Sequence, residues 1–187
     1  MTLLVIPTRT DLDTYLDALR RGWSPDNSSR ASLTAVEHAR QIDTDPDAFL
    51  AMHDSPRPND LIILPDGSSA PRLPSIRRWI WSGGFCGTIS LRWSLNGPLP
   101  DYVLGHIGYS VVPWRRREGH ATRALGLMLR EAASLGLPWV DVTTDLDNEA
   151  SQKAILANGG RFSGMIERPA SHGGGDIMLY RIDTISR

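Results

Sequence analysis

Apolar positions change their period several times along the chain, and each change marks an element. Leu3 to Ile6 reads as a short strand. Asp11 to Arg21 reads as a helix, with Leu12, Tyr15, Leu16 and Leu19 at helical spacing and Gly22 as its stop. From Arg30 to Met52 the stripe Ala31, Ala35, Ala39 and Ile42 predicts a helix that Pro46 interrupts, followed by a shorter one from Ala48 to Met52. Asp54 to Ser75 is rich in proline, glycine and serine around Leu61-Ile62-Ile63-Leu64 and the turn Pro65-Asp66-Gly67, which predicts a loop with one brief strand. Ile76 to Trp81 and Phe85 to Trp93 carry β-branched and aromatic residues on either side of Ser82-Gly83-Gly84, a hairpin pattern.

After a turn at Asn96 to Pro100, the pattern predicts a strand over Val103 to Val112, a helix over Gly119 to Leu135, a strand over Trp139 to Thr144 and a helix over Glu149 to Ala157. Strands at Phe162 to Glu167 and Ile177 to Ile182 close the chain around the loop Ser171-His172-Gly173-Gly174-Gly175. The order β-α-α-β-β-β-α-β-α-β-β is neither the strict alternation of a doubly wound parallel sheet nor a sandwich, so a mixed α+β sheet is expected.

Composition narrows the classes. The chain has 187 residues, 41% apolar and 22% charged, which suits one soluble globular domain spanning 1–187. Twenty basic residues against 21 acidic ones give a formal charge of −1, so no global field holds nucleic acid or an anionic membrane. The single cysteine, Cys86, forms no internal disulfide, and Met1 to Pro7 lacks a basic region before a long apolar stretch; a cytoplasmic protein is expected. No apolar run nears the roughly 20 residues of a membrane span. His38, His53 and His172 stand in no metal-ligand array, so no metal is expected.

The segment Gly105 to Thr122 carries the chemistry, because a strand, a tight loop and a helix start follow one another. A helix N-terminus leaves peptide N–H groups without intrahelical partners, and its dipole favours an anion there. Diphosphate is the natural guest. Gly119 permits close backbone approach, Ala121 leaves the first turn uncovered, and Arg116 and Arg117 add charge.

Val111 to Thr122 resembles the acyl-CoA-binding motif of the GNAT N-acetyltransferase superfamily, and Asp147 to Gly160 is similar to that superfamily's second conserved segment. The hairpin Trp79 to Trp93 and the piece Leu104 to Tyr109 resemble an uncharacterised bacterial acetyltransferase branch of it. The resemblance implies a GNAT-like, mostly antiparallel sheet of about 6–7 strands, splayed between two central parallel strands and flanked by about four helices. It implies acetyl-CoA in the gap as cosubstrate, with its pantetheine arm pairing like an extra strand. Carried over by position, Tyr109, Ser110 and Val111 would face the pantetheine and thioester. Arg116, Arg117, Gly119, Ala121 and Thr122 would hold the diphosphate, and Asn148 and Ser151 would meet the pantetheine from the other lip.

Two positions depart from the family. Ile155 stands where many members have a proton-donating tyrosine, and Gly105 where some have a glutamate. His106, with an ordinary pKa suited to a base, and Tyr109, a donor to the thiolate, are the candidate catalytic residues, each set against a packing role in the sheet. Asp145 and Asp147 would hold a substrate ammonium or cap the following helix, and Trp23, Trp79 and Trp81 would line an acceptor pocket or fill the core.

The expected function is direct acetyl transfer from the CoA thioester to a primary amine of a small molecule or peptide. The alternative is a catalytically silent acyl-CoA-binding module. A methyltransferase ranks last, since no glycine-rich first βα turn is present. An accessible sheet edge would permit a homodimer.

Overall fold

The computed structural model describes residues 1–26, 31–55, 58, 60–63, 67–169 and 174–184. In chain order the first elements are β1 (Leu3–Val5), α1 (Leu12–Arg20), α2 (Ala31–Thr44), α3 (Pro46–Ala51), β2 (Asp54–Ser55), β3 (Leu61–Ile63) and β4 (Ser69–Pro71). Then follow β5 (Ser75–Trp81), β6 (Phe85–Arg92), β7 (Ile107–Val111), α4 (His120–Ser134), β8 (Trp139–Asp145), α5 (Glu149–Ala157), β9 (Arg161–Glu167) and β10 (Asp176–Asp183).

One antiparallel sheet runs β1-β5-β6-β7, with β2 also on β5. A second runs β8-β10-β9, and β3 with β4 forms a separate ribbon. The mixed α+β class holds, but ten strands and five α-helices among the described residues exceed the expected counts. The additional strands are the two- and three-residue pieces between Asp54 and Pro71; the brief strand expected around Leu61 to Leu64 is present as β3, whereas β2 and β4 are too short for any period to be read from sequence. β7 begins at Ile107 instead of Val103, because residues 103–105 form neither helix nor strand. Expectations for Arg30, Leu64, Pro65-Asp66 and Ser171-His172-Gly173 lie outside the described residues.

Local chemistry sets the boundaries. Asp45 caps α3 by accepting from the N–H groups of Asp47 and Ala48 at 3.1 and 3.0 Å, and Pro46 occupies the first turn, where no N–H donor is needed. Each face of the first sheet buries its own core. On one, Ile80, Ile89 and Leu91 meet Leu125 and Met128 of α4, Val140 and Val142 of β8, and Ile155 of α5. On the other, Trp79 and Phe85 meet Tyr15, Trp23 and Phe49 from the α1–α3 layer. Tyr15 stacks on Trp79 with ring centres 4.8 Å apart. Trp23 and Trp79 are therefore core residues, at 3% and 0% exposure.

Candidate active site

β7 and β8 meet only where they begin. The His106 N–H donates to the Asp141 carbonyl at 2.7 Å, and the Asp141 N–H donates to His106 Nδ1 at 3.0 Å. A Cβ added at Gly105 would lie 3.0 Å from the Asp141 carbonyl oxygen, so the main chains touch here. A side chain at Gly105 would require the two main chains to part by a few tenths of an ångström. Beyond this joint no ladder connects the two strands. They diverge in the same direction, and a crevice of about 1080 Å³ opens between them.

The register of β7 decides what the crevice meets. Val112 N–H donates to the Cys86 carbonyl and Arg92 N–H to the His106 carbonyl, so the even-numbered residues of β7 bond to β6. The peptide groups of Ile107, Tyr109 and Val111 consequently point to the open edge. Ser110 lines the crevice, but its peptide groups face β6. Its hydroxyl accepts from Trp23 Nε1 at 3.0 Å and donates to the Ser24 carbonyl at 3.2 Å, tying down the chain after α1.

The turn into α4 forms one lip. Gly119, its N-cap, is left-handed at φ 76°, and Arg117 is left-handed at φ 63°. Among the described residues no side chain caps α4. Arg123 N–H is the first to find a carbonyl, that of Gly119 at 3.1 Å, while the N–H groups of His120, Ala121 and Thr122 meet no acceptor among the described residues. These donors and the exposed Arg116 and Arg117 fit a diphosphate. The Arg116 Nε donates to the Val111 carbonyl at 3.2 Å, which holds its guanidinium over the end of β7. His120 is buried and not solvent-facing: its Nδ1 contacts Thr2 Oγ1 and its Nε2 contacts Glu118 Oε2, each at 3.0 Å.

The first turn of α5 forms the other lip. Asn148 Oδ1 accepts from the Ser151 N–H at 3.1 Å, so Asn148 and not Asp147 is the cap. Tyr109 spans the gap, with its hydroxyl 2.8 Å from Ser151 Oγ. Burial pushes the Tyr109 phenol above its ordinary range, against a smaller opposing effect of the Ser151 hydrogen bond. Ile155, one turn further along α5, is fully buried and lies in the core. The protic side chain on this helix face thus comes from the opposite wall, reaching Ser151 one turn before Ile155.

His106 lies at the strand joint. Its Nδ1 is an acceptor for Asp141, its ring packs edge-to-face on Trp139 with centres 5.5 Å apart, and it is 7% exposed. It does not line the crevice. Burial holds its pKa below the ordinary value, with Asp141 opposing. It is a staple between the strands. Asp145 lines the crevice while ion-paired with Arg168. Arg92, Gly108 and Asp26, which sequence reasoning missed, line the face of the crevice away from α4. The only available signal was the even spacing of Thr88, Ser90 and Arg92, polar in a strand whose odd positions are apolar.

A split between two strands, with helix N–H groups and arginines at its mouth, defines a site for an elongated ligand with an anionic end. The chain belongs to the GNAT acetyltransferase family, whose acetyltransferase (GNAT) domain matches residues 68–161. It is an acetyltransferase, and acetyl-CoA is the family's acetyl donor. No curated protein matches it. Among solved structures, it is similar to Mycobacterium smegmatis RimJ in complex with CoA-disulfide at 18% identity and TM-score 0.65, covering 100% of this chain and 84% of that one. It is also similar to RimL, the ribosomal L7/L12 alpha-N-protein acetyltransferase in complex with coenzyme A, at 11% identity and TM-score 0.62, covering 97% and 93%. A third is the microcin C7 self-immunity acetyltransferase MccE in complex with acetyl-CoA and AMP, at 12% identity and TM-score 0.56, covering 97% and 92%. Identities this low show a shared fold.

Proposed function

We propose that the chain transfers an acetyl group directly from acetyl-CoA to a primary amine of a small molecule or peptide. The observation that carries this reading is the crevice between β7 and β8, with the unpartnered N–H groups of His120, Ala121 and Thr122 at its mouth. The ribosomal-protein acetyltransferase among the similar structures supports an amine acceptor. Acetyl-CoA supplies the acetyl group as an activated thioester.

The chain's residues divide the work. The first turn of α4, with Arg116 and Arg117, binds the diphosphate. The peptide groups of Tyr109 and Val111 on the open edge of β7 bind and orient the pantetheine, opposite Asn148 and Ser151 on α5. As the amine nitrogen bonds the acetyl carbon and the carbon–sulfur bond breaks, Tyr109 Oη, kept protonated by burial, gives its proton to the departing sulfur, the role Ile155 cannot perform, and the proton shed by the acylated nitrogen restores the phenol. Ser151 Oγ, at 2.8 Å, holds the phenol in place.

Two measurements test the proposal. Isothermal titration should detect acetyl-CoA binding by the folded protein, and an amine-library screen should detect release of free CoA. No binding would overturn the reading. Binding without turnover across a broad amine panel would favour the silent module, whose motivation is Ile155 and Gly105.

A further inference from the structure

Several half-buried or exposed arginines of the structure are matched with acids. Arg78 meets Asp54 and Glu131, Arg115 meets Glu118, Arg168 meets Asp145, and Arg181 meets Asp141. Arg92 is different. It is half-buried, it lines the crevice, and no carboxylate among the described residues lies within ion-pair distance of it. Among the described residues its Nη2 reaches only Ser90 Oγ, at 3.4 Å.

The neighbours leave the guanidinium open. A Cβ at Gly108, across on β7, would lie 3.5 Å from Nη2, so the glycine uncovers it where a larger side chain would roof it over. Arg77 of β5 stands in register with Ser90 of β6 and so shares this face. It also has no carboxylate partner among the described residues. The histidines of the layer above add no further positive charge near pH 7. Burial, and then Arg77, hold His38 and His53 at pKa values of about 4, so both are neutral near pH 7. Asp26 lines the same crevice, accepts from Thr34 Oγ1 at 2.9 Å, and lies outside ion-pair reach of Arg92.

A guanidinium removed from water without a counter-ion is unfavourable, and its planar fork matches a carboxylate or phosphate. That anion is not the CoA diphosphate. The N–H groups of α4 that fit the diphosphate lie on the other side of the first sheet, where Ile89 and Leu91 meet α4, whereas Arg92 shares the face of Ser90 and Gly108.

We propose that Arg92 determines acceptor specificity by receiving an oxyanion, a carboxylate or phosphate, carried by the amine substrate. The inference rests on the acetyl-transfer reading, and it narrows the acceptor to amines bearing an acidic group.

The test uses matched acceptors in CoA-release assays: ω-amino acids of increasing length against their amides, and aminoalkyl phosphates against the corresponding amino alcohols. The acidic member should win in kcat/KM by about tenfold or more, as a charged hydrogen-bonded pair provides. The carboxylate and phosphate arms tell the two sources apart. Arg92→Met should collapse the ratio towards unity, and Arg92→Lys should restore part of it, since it keeps the charge and loses the fork.

The same pairs titrated into CoA-loaded protein read the preference without turnover. Acid-selective binding lost in Arg92→Met would support the inference even where acetyl transfer fails. Equal or better use of the neutral members, or an acid preference that survives Arg92→Met, would overturn it. Acetyl-CoA titration and a thermal melt report whether each variant is folded, and Arg92→Lys serves if Arg92→Met is not.

Discussion

Tyr109 and His106 sit on one side of the crevice's hinge and past it, and their surroundings assign them different work. The phenol is half-buried, its pKa is raised, and it points across to α5. Tyr109→Phe should lower kcat by about 100-fold or more, the usual range for a positioned acid, while acetyl-CoA affinity stays within about twofold. Steady-state kinetics beside calorimetry checks this. Because the protonated phenol is the active form, activity should hold through neutral pH and fall only as pH rises past the ordinary phenol value of about 10. An alkaline limb below that value would remove Tyr109 from the proton transfer. His106→Ala should instead destabilise the fold by about 1–3 kcal/mol, since it strands the Asp141 N–H at the strand joint. Urea unfolding measures that loss. Activity lost in this variant with stability intact would restore the base role. Sequence placed both residues beside the cleft. It did not show which way each side chain pointed, because the Asp141 partner lies 35 positions further along the chain.

At the level of elements, α4 and α5 act as one unit through Asn158. Its buried amide donates to the Thr122 carbonyl at 3.0 Å and to the Ala154 carbonyl at 2.8 Å. A Cβ at Gly126 would lie 2.8 Å from Asn158 Oδ1, so the helices pack at close range around this amide. Asn158→Ala should cost about 1–3 kcal/mol in urea unfolding by leaving the carbonyls short of a donor, and it should loosen the α4 lip. An unchanged unfolding midpoint would show that the tie carries no load. Hydrophobic spacing made both helices legible, and the glycine at 119 marked where α4 starts. The tie between them was not legible, since an asparagine after a helix reads as a stop signal whether or not it reaches a neighbour.

Across the whole molecule, the two faces of one sheet bury two separate cores. On the proposed reading the α4 face would bind CoA, and the α1–α3 face, with neutral His38 and His53 beside Arg77, would enclose the acceptor end. Both histidines have folded pKa values of about 4 against an ordinary 6.5, so the unfolded chain binds more protons between those limits. Stability from this layer is complete above about pH 6.5 and is lost as pH falls towards about 4. The melting temperature should decline across that window, with a shallower slope in His38→Gln and His53→Gln. A flat profile from pH 7 to about 4 would contradict the neutral pair.

The amino-acid sequence by itself determined the order of elements, the glycine turn and arginines that open α4, and membership in an acetyl-CoA-using family. These rest on local spacing, which folding preserves. Tertiary structure decided the joint at Gly105 and His106, the Tyr109 bridge to Ser151 and the uncovered guanidinium of Arg92. Each arises between residues distant in the chain, where strand register and packing choose which side chain faces the crevice and which is buried.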